Sequence, residues 1–366
     1  MNDINNTTKH RNDIVDIVKG IGIILVVAGH LKWSPFYDVQ LHNIIYSFHM
    51  PLFFILAGCF ASHRTGDEGI FAFTRKKAIR LLIPYLSYFL LYLLYNLCFN
   101  EIKVLLTVYG NINTPPVFPA AKQVANALFM SNGKALSEAG INIALWFLPA
   151  IFIANVLFYF VTSMGIKSDL PVFLFLLGVG YWSLEATLYV GHNNIPWGID
   201  IAAISLLFLY VGKFLKKIQF SVPQILFILI IILIPLSIHS RTDMQSMQIP
   251  NVFTFYLFGI LGTVSVVAIA ALLISTPLRK PLSLIGRSAF TIFALHALIL
   301  SSVGAVFVRI VNANQAIQSS ILVISAITIS LMVEYYLFQK NAVLSFAFLG
   351  VKKDKYSLQA FKQHTY

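Results

Sequence analysis

The chain has 366 residues, of which 58% are hydrophobic and only 11% are charged, and its formal net charge is +12. A soluble domain carries about a quarter charged residues, so this chain has too little charge to cover a surface that faces water. The composition therefore excludes soluble enzymes, nucleic-acid-binding proteins and disordered proteins. It predicts an integral membrane protein, and its two cysteines, both in apolar runs, indicate neither a disulfide framework nor a zinc site.

Long apolar runs follow one another along the chain without the alternation of β-strands. A helix needs about 20 mostly apolar residues to cross the hydrocarbon core, and the runs predict an all-α fold. We expect a polytopic membrane helix bundle of about ten transmembrane helices with both termini cytoplasmic. The first run lacks a small-residue cleavage site and is expected to be a retained span. The predicted spans are 14–32, 43–62, 79–99, 145–164, 170–189, 198–215, 222–239, 251–275, 288–310 and 317–338.

The positive charge of the chain follows this topology. Of the 26 Lys and Arg residues, 19 fall in predicted inner segments, 6 fall in outer segments, and Lys19 lies inside the first span. This ratio agrees with the positive-inside rule, so the charge reports orientation rather than a nucleic-acid partner. The sequence predicts a cytoplasmic segment over 1–13, a membrane domain over 14–338, and a basic cytoplasmic tail over 339–366 that suits anionic membrane lipids.

The first predicted span carries Asp16, Lys19 and His30, and ionisable residues are costly in a membrane and therefore functional candidates. Lys19 and His30 are eleven residues apart, so they share one face of the helix at an axial distance of about 16 Å. Asp16 lies one turn before Lys19 and is predicted to pair with it. A simpler interpretation has Lys19 extending to the inner interface and His30 lying at the outer one, with no site between them.

The next two spans add a histidine and a basic run. His49 lies at a depth close to that of His30, which favours a shared site over a lone structural histidine. The third span opens with more positive charge than topology needs, although positive-inside charge explains such runs about equally well. Because guanidinium groups bind phosphate through paired hydrogen bonds, we expect an anion site on the inner face. The basic run consists of Arg75, Lys76, Lys77 and Arg80.

Further candidates lie toward the outer side. The connection over about 100–144 either covers an outward-facing cavity or is a passive surface loop. Trp146 opens the fourth span, where it suits either a site or the aromatic belt of the membrane. Glu185 and Asp200 lie near the outer ends of their spans, and a helix dipole alone also accounts for Asp200. His296 lies near the middle of the ninth span.

This division by depth, with imidazoles and carboxylates outside and cations inside, suits a ligand with an anionic head and a reactive end deeper in the membrane. Coenzyme A has that shape. Its phosphates would meet the inner cations, and its arm would reach His30 over the length of about eleven helical residues.

Five motifs stand in the order that is typical of one family. They are Lys19-x10-His30, the run Phe48–Phe54 with Ala57-Gly58, the stretch Arg80–Tyr85, the stretch Trp146–Pro149, and the segment Gly286–His296. Together they resemble the acyltransferase 3 family of integral membrane O-acyltransferases, in its fucose 4-O-acetylase-like branch, over about 14–338. Two positions depart from the family pattern. Lys19 stands where Arg is commoner and lacks its bidentate fork, and Ala57 stands where Ser is usual.

The resemblance implies acetyl transfer from cytoplasmic acetyl-CoA to a sugar hydroxyl of a bacterial surface polysaccharide. The acceptor would be a lipid-linked or lipopolysaccharide glycan such as O-antigen, and the enzyme would lie in the inner membrane. Imidazole titrates near neutral pH, so we expect His30 to act as the general base. His49 would orient it or stabilise the oxyanion, and Asp200 or Glu185 would fix its tautomer. We expect acetyl-CoA to be held by Lys19, Arg75, Lys76, Arg80 and Tyr85, the acceptor by Trp146 and His296, and no metal to take part.

Three alternatives remain open at the level of sequence. In a covalent route, His30 itself accepts the acetyl group before passing it to the sugar. A transporter or polysaccharide exporter without acyl transfer also fits ten spans with polar residues, although the chain lacks the visible internal repeats of many transporters. A different donor, such as succinyl-CoA, would use the same site.

Overall fold

The computed structural model of the protein describes residues 2–31, 39–61, 69–109, 119–166, 168–215, 241–310 and 314–351. These ranges are mainly helical, and an isolated bridge joins Asp243 to Gln248. The all-α class is confirmed. The helices are α1 (Asn2–Gly29), α2 (Val39–Phe60), α3 (Ile70–Tyr109), α4 (Ala121–Met130), α5 (Gly133–Glu138), α6 (Phe147–Ser163), α7 (Asp169–Val190), α8 (Ile199–Leu215), α9 (Val252–Leu273), α10 (Arg279–Arg287), α11 (Ala289–Ile310), α12 (Gln315–Val333) and α13 (Ala342–Leu349).

Seven segments in the described ranges are long and apolar enough to cross a membrane. The consecutive helices α10 and α11, bent by 79° at their junction, add an eighth if they count as one span. These segments match eight of the ten predicted spans. The first predicted span is helical within α1, and the seventh, 222–239, lies outside the described residues. The chain is thus a multi-pass helical membrane protein, while the count of ten and the side of the termini stay predictions.

Asparagine side chains begin several of these helices. At the start of α9, the Asn251 side chain accepts hydrogen bonds from the N–H groups of Phe253 and Thr254. Asn314 caps α12 and Asn341 caps α13 in the same way. The first backbone N–H groups of a helix have no intrahelical acceptor, so a capping amide supplies one. These helix starts are therefore specified locally by the sequence.

Glycines bring helix backbones into direct contact. Gly286 of α10 lies against the Asp16 carbonyl of α1, and Gly58 of α2 lies against the Leu209 carbonyl of α8. A Cβ atom at either glycine would overlap the facing backbone. Small residues at such crossings are how membrane helices approach closely without a hydrophobic driving force. The close contact at Gly286 fixes α10 beside the first half of α1.

We therefore expect Gly286→Ala to destabilise the protein by about 1–3 kcal/mol, as overpacking of a tight contact usually does. Thermal unfolding of the purified protein in detergent measures this. The matched control is Gly178→Ala on α7, because a Cβ there meets no atom within 4 Å. Equal unfolding temperatures for the two variants would show that the contact between α1 and α10 is not tight.

The outer connection forms part of the packed domain over residues 119–146. The side chain of Asn132 donates to the Asn193 carbonyl at 3.0 Å, and that of Asn142 to the Ala294 carbonyl at 3.5 Å. Ala135 is also buried in the core. The described part of this connection is therefore not a passive surface loop, and it contacts α11 near His296.

Candidate functional site

Two imidazoles from opposite halves of the chain meet near one end of the bundle, which we call the outer end because α1 finishes there. His30 follows the last turn of α1, where its N–H donates to the Val26 carbonyl at 3.2 Å. His296 lies on α11. The ring centroids are 5.0 Å apart, and the ring planes are tilted by 38°. The sequence predicts separate roles for these histidines, and the structure places them in one site.

The tautomer of His296 follows from its hydrogen bond. Nδ1 lies 2.7 Å from the Phe293 carbonyl oxygen. Because a carbonyl can only accept, Nδ1 carries the proton and Nε2 carries the lone pair in the neutral ring. The side chain is fully buried, and Nε2 has no hydrogen-bond partner within the described residues. A buried polar atom without a partner is rare in native proteins, and this one is a hydrogen-bond acceptor that no described residue uses.

His49 lies on α2 and is linked to the end of α1 through Tyr46. Its Nδ1 donates to the Ile45 carbonyl at 2.9 Å, so its Nε2 also bears the lone pair in the neutral ring. Tyr46 stands between His49 and the end of α1. The Tyr46 ring centroid is 4.7 Å from that of His49, and its hydroxyl donates to the Gly29 carbonyl at 3.5 Å. His49 can therefore donate from Nε2 to an oxyanion only when it is protonated.

A series of packed aromatic rings connects the histidine pair to the start of α6. Phe293 is 6.3 Å from the His296 ring, and Phe147 is 5.5 Å from Phe293, between ring centroids. Trp146 is buried and packs edge-on against Phe147 at 5.9 Å. The predicted substrate-binding residue Trp146 is thus linked to His296 through two phenylalanine rings, and these rings keep one side of the pair apolar.

Asp200 has a histidine partner that differs from the predicted one. At the start of α8, its Oδ2 accepts from Nδ1 of His192 at 2.5 Å, and its Oδ1 accepts from the Ile201 N–H at 2.8 Å. The sequence predicts Asp200 or Glu185 as the carboxylate that orients His30, and it does not single out His192. The sequence signal for this pair was the position of His192 in the short segment that precedes α8, the helix that begins next to Asp200. Glu185, the other predicted carboxylate, is exposed on the surface of α7.

At the opposite end of the bundle, which we call the inner end, the predicted pair in α1 is confirmed. Lys19 Nζ lies 3.6 Å from one oxygen of Asp16, and Arg287 lies 3.9 Å from the other. The ammonium group of Lys19 also stands 5.3 Å from the centroid of the Phe60 ring, at the end of α2. Its side chain is about one-third exposed. Lys19 is therefore accessible from the inner end while it remains held by α1 and α2.

The basic run at the start of α3 divides into outward and inward residues. Arg75, Lys76 and Arg80 are exposed, whereas Lys77 is half-buried and donates to the Asn155 side chain of α6 at 2.7 Å. The three exposed residues place positive charge on the surface at the start of α3. Lys77 was not among the predicted site residues, and its hydrogen bond links α3 to α6 beside the three exposed cations.

Tyr85 lies farther along α3 and is buried. Its hydroxyl is hydrogen-bonded to the Ser131 hydroxyl at 2.7 Å, on the segment between α4 and α5. This bond stabilises the packing of the outer segment on α3. The predicted contact between Tyr85 and acetyl-CoA stays a prediction.

The chain was compared with protein families, with other proteins and with solved structures. A family model described as an acyltransferase domain matches residues 12–335. Over 84 residues the chain is 38% identical to the nodulation protein NolL of Sinorhizobium fredii (strain NBRC 101917 / NGR234). That match covers 21% of this chain and 23% of the length of NolL. No solved structure matches the chain.

Proposed function

The chain belongs to the acyltransferase 3 family, as its motifs predicted, and on that premise we propose that it is a membrane O-acetyltransferase. The proposed donor is cytoplasmic acetyl-CoA. The proposed acceptor is a sugar hydroxyl of a bacterial surface polysaccharide, lipopolysaccharide O-antigen or its lipid-linked precursor. The proposed location is the bacterial inner membrane.

The observation that carries this proposal is the histidine pair. An alcohol attacks a thioester poorly unless a base removes its proton, and imidazole is the usual base near neutral pH. His30 and His296 stand 5.0 Å apart between ring centroids, and Nε2 of His296 has a lone pair but no partner among the described residues. The two rings suit neighbouring hydroxyls of one sugar, of which one reacts and the other is held.

In the proposed reaction, the sugar oxygen attacks the carbonyl carbon of the thioester while His30 takes the hydroxyl proton. The carbon–sulfur bond then breaks, and the imidazolium of His30 returns the proton to the leaving sulfur. The products are the acetylated sugar and coenzyme A as a thiol. His296 accepts a hydrogen bond from a neighbouring hydroxyl, and neutral His49 accepts at its Nε2 a hydrogen bond from the His30 ring and so orients the base.

The donor would enter from the inner end. Lys19 is about 16 Å from His30 along the axis of α1, since eleven residues separate them. Its ammonium group, together with the exposed Arg75, Lys76 and Arg80, provides positive charge for the phosphates of coenzyme A. The uncharged arm would extend along α1 toward the histidine pair.

We expect Lys19→Ala to raise KM for acetyl-CoA about fivefold with little change in kcat. A partly exposed charge contact contributes up to about 1 kcal/mol, and a factor of ten corresponds to about 1.4 kcal/mol. Initial rates at varied acetyl-CoA, with the purified protein in liposomes, measure both constants. Lys19→Arg keeps the charge and adds a bidentate fork, so its KM should be equal to that of the wild type or lower.

The control is Lys134→Ala, which removes an exposed cation from α5 at the outer end. KM for acetyl-CoA should not change in this variant. Equal increases of KM in the Lys19 and Lys134 variants would contradict a specific inner site for the donor.

The covalent alternative is tested by incubating the purified protein with acetyl-CoA labelled in the acetyl group, without acceptor. If transfer is direct, no label should remain on the protein after it is separated from acetyl-CoA without acid. Label that depends on His30 would instead support an acetyl-histidine intermediate.

A further inference from the structure

A row of tyrosines on α3 faces α11. Tyr88, Tyr92 and Tyr95 follow one another at spacings of four and three residues, which places them on one side of the helix. The Tyr92 hydroxyl donates to the Ala294 carbonyl at 2.9 Å and accepts from the Leu298 N–H at 3.1 Å. One side chain therefore binds two backbone groups of α11.

These two groups belong to the same step of the helix. In a regular α-helix the N–H of residue 298 donates to the carbonyl of residue 294, so the Tyr92 hydroxyl bonds both ends of one step of the helix. The turn between these two groups, from Ala294 to Leu298, contains His296.

The same carbonyl has a second donor. The side chain of Asn142 approaches the Ala294 oxygen at 3.5 Å, while its own oxygen accepts from the Ala144 N–H at 3.0 Å. The turn around His296 is thus held from α3 on one side and from the outer connection on the other. Its position does not depend on the α11 backbone alone.

We propose that Tyr92 is a positioning residue, which fixes His296 Nε2 beside His30 by tying both backbone groups of this turn of α11 to α3. The role rests on the proposed acetyl transfer. Without the hydroxyl, the Ala294 carbonyl and the Leu298 N–H bond only each other, so the turn loses its tie to α3 and His296 shifts with it. The fold remains intact, because both backbone groups stay paired.

The test is Tyr92→Phe, which removes only the hydroxyl. We expect kcat/KM for the glycan acceptor to fall roughly tenfold, since misplacing a group by about 1 Å costs up to about a hundredfold. KM for acetyl-CoA and the unfolding temperature should stay close to wild type. The matched control is Tyr95→Phe, whose hydroxyl bonds the Ser302 side chain at 2.8 Å rather than the backbone ladder. This control should keep wild-type kinetics.

A double-mutant cycle shows whether Tyr92 acts through His296. In a His296→Ala background, Tyr92→Phe should cause no further loss, because residues that act as one unit are non-additive. A full additional tenfold loss in that background would overturn the inference, as would wild-type kinetics for Tyr92→Phe. If the wild-type protein itself transferred no acetyl groups, the proposed function would be wrong. The failure of the inference and the failure of the proposed function are therefore distinguishable.

Discussion

His30→Ala is expected to lower acetyl transfer by roughly 10²- to 10⁴-fold, the usual loss when a general base is removed. The His30 ring follows α1, which also carries Lys19. No other residue is proposed to act as the base when His30 is removed. The loss should appear in kcat, because His30 takes the proton only as the sugar oxygen attacks. Transfer of labelled acetyl groups to the glycan acceptor by the purified variant measures it.

The control for His30 is His42→Ala. His42 also lies near the outer end, but its ring stacks on Tyr46 at 3.8 Å between centroids and has no role in the proposed reaction. We expect this variant to keep transfer within a few-fold of wild type. If both variants lost activity equally, the loss would reflect damage to the outer end rather than removal of the base.

His296→Ala should lower kcat/KM for the acceptor roughly a hundredfold, with KM for acetyl-CoA unchanged. The ring contributes the lone pair of Nε2, which we propose holds the hydroxyl next to the reacting one, and loss of such orientation costs about this much. Kinetics with each substrate varied in turn separate the two effects. A loss confined to the donor side would contradict an acceptor-binding role for His296.

His296→Gln is the companion variant. The glutamine amide oxygen can accept a hydrogen bond near the position of Nε2, so part of the acceptor kinetics should return. If the Gln and Ala variants were equally impaired, the effect would come from lost packing of a fully buried ring rather than from the lone pair.

The sequence predicted the helices well, because a span is a local property. Twenty apolar residues in a row specify a transmembrane helix whatever its neighbours are, and the pairing of Asp16 with Lys19 depends only on their spacing in α1. His30 and Lys19 could be assigned to one face of α1 for the same reason.

Contacts between distant helices could not be derived in this way. Nothing in the sequence around His296 shows that α11 places it beside His30, nor that Tyr92 bonds the backbone of α11 on either side of His296. Asp200 was predicted from its depth to orient His30, and the order of helices around the bundle instead leaves it with His192 as its hydrogen-bond partner. Depth along a span is readable from sequence, but the order of helices around the bundle is not.

The central claim is acetyl transfer at the pair of His30 and His296, and mass analysis of surface polysaccharide tests it most directly. Three kinds of cell should be compared: cells with the wild-type chain, cells with the His30→Ala variant at equal abundance, and cells with neither. The account predicts acetyl groups on the sugar repeats only with the wild-type chain, and the same amount of polysaccharide in all three. Polysaccharide that stays unacetylated in all three, with its amount raised by the wild-type chain, would contradict the account and indicate an exporter.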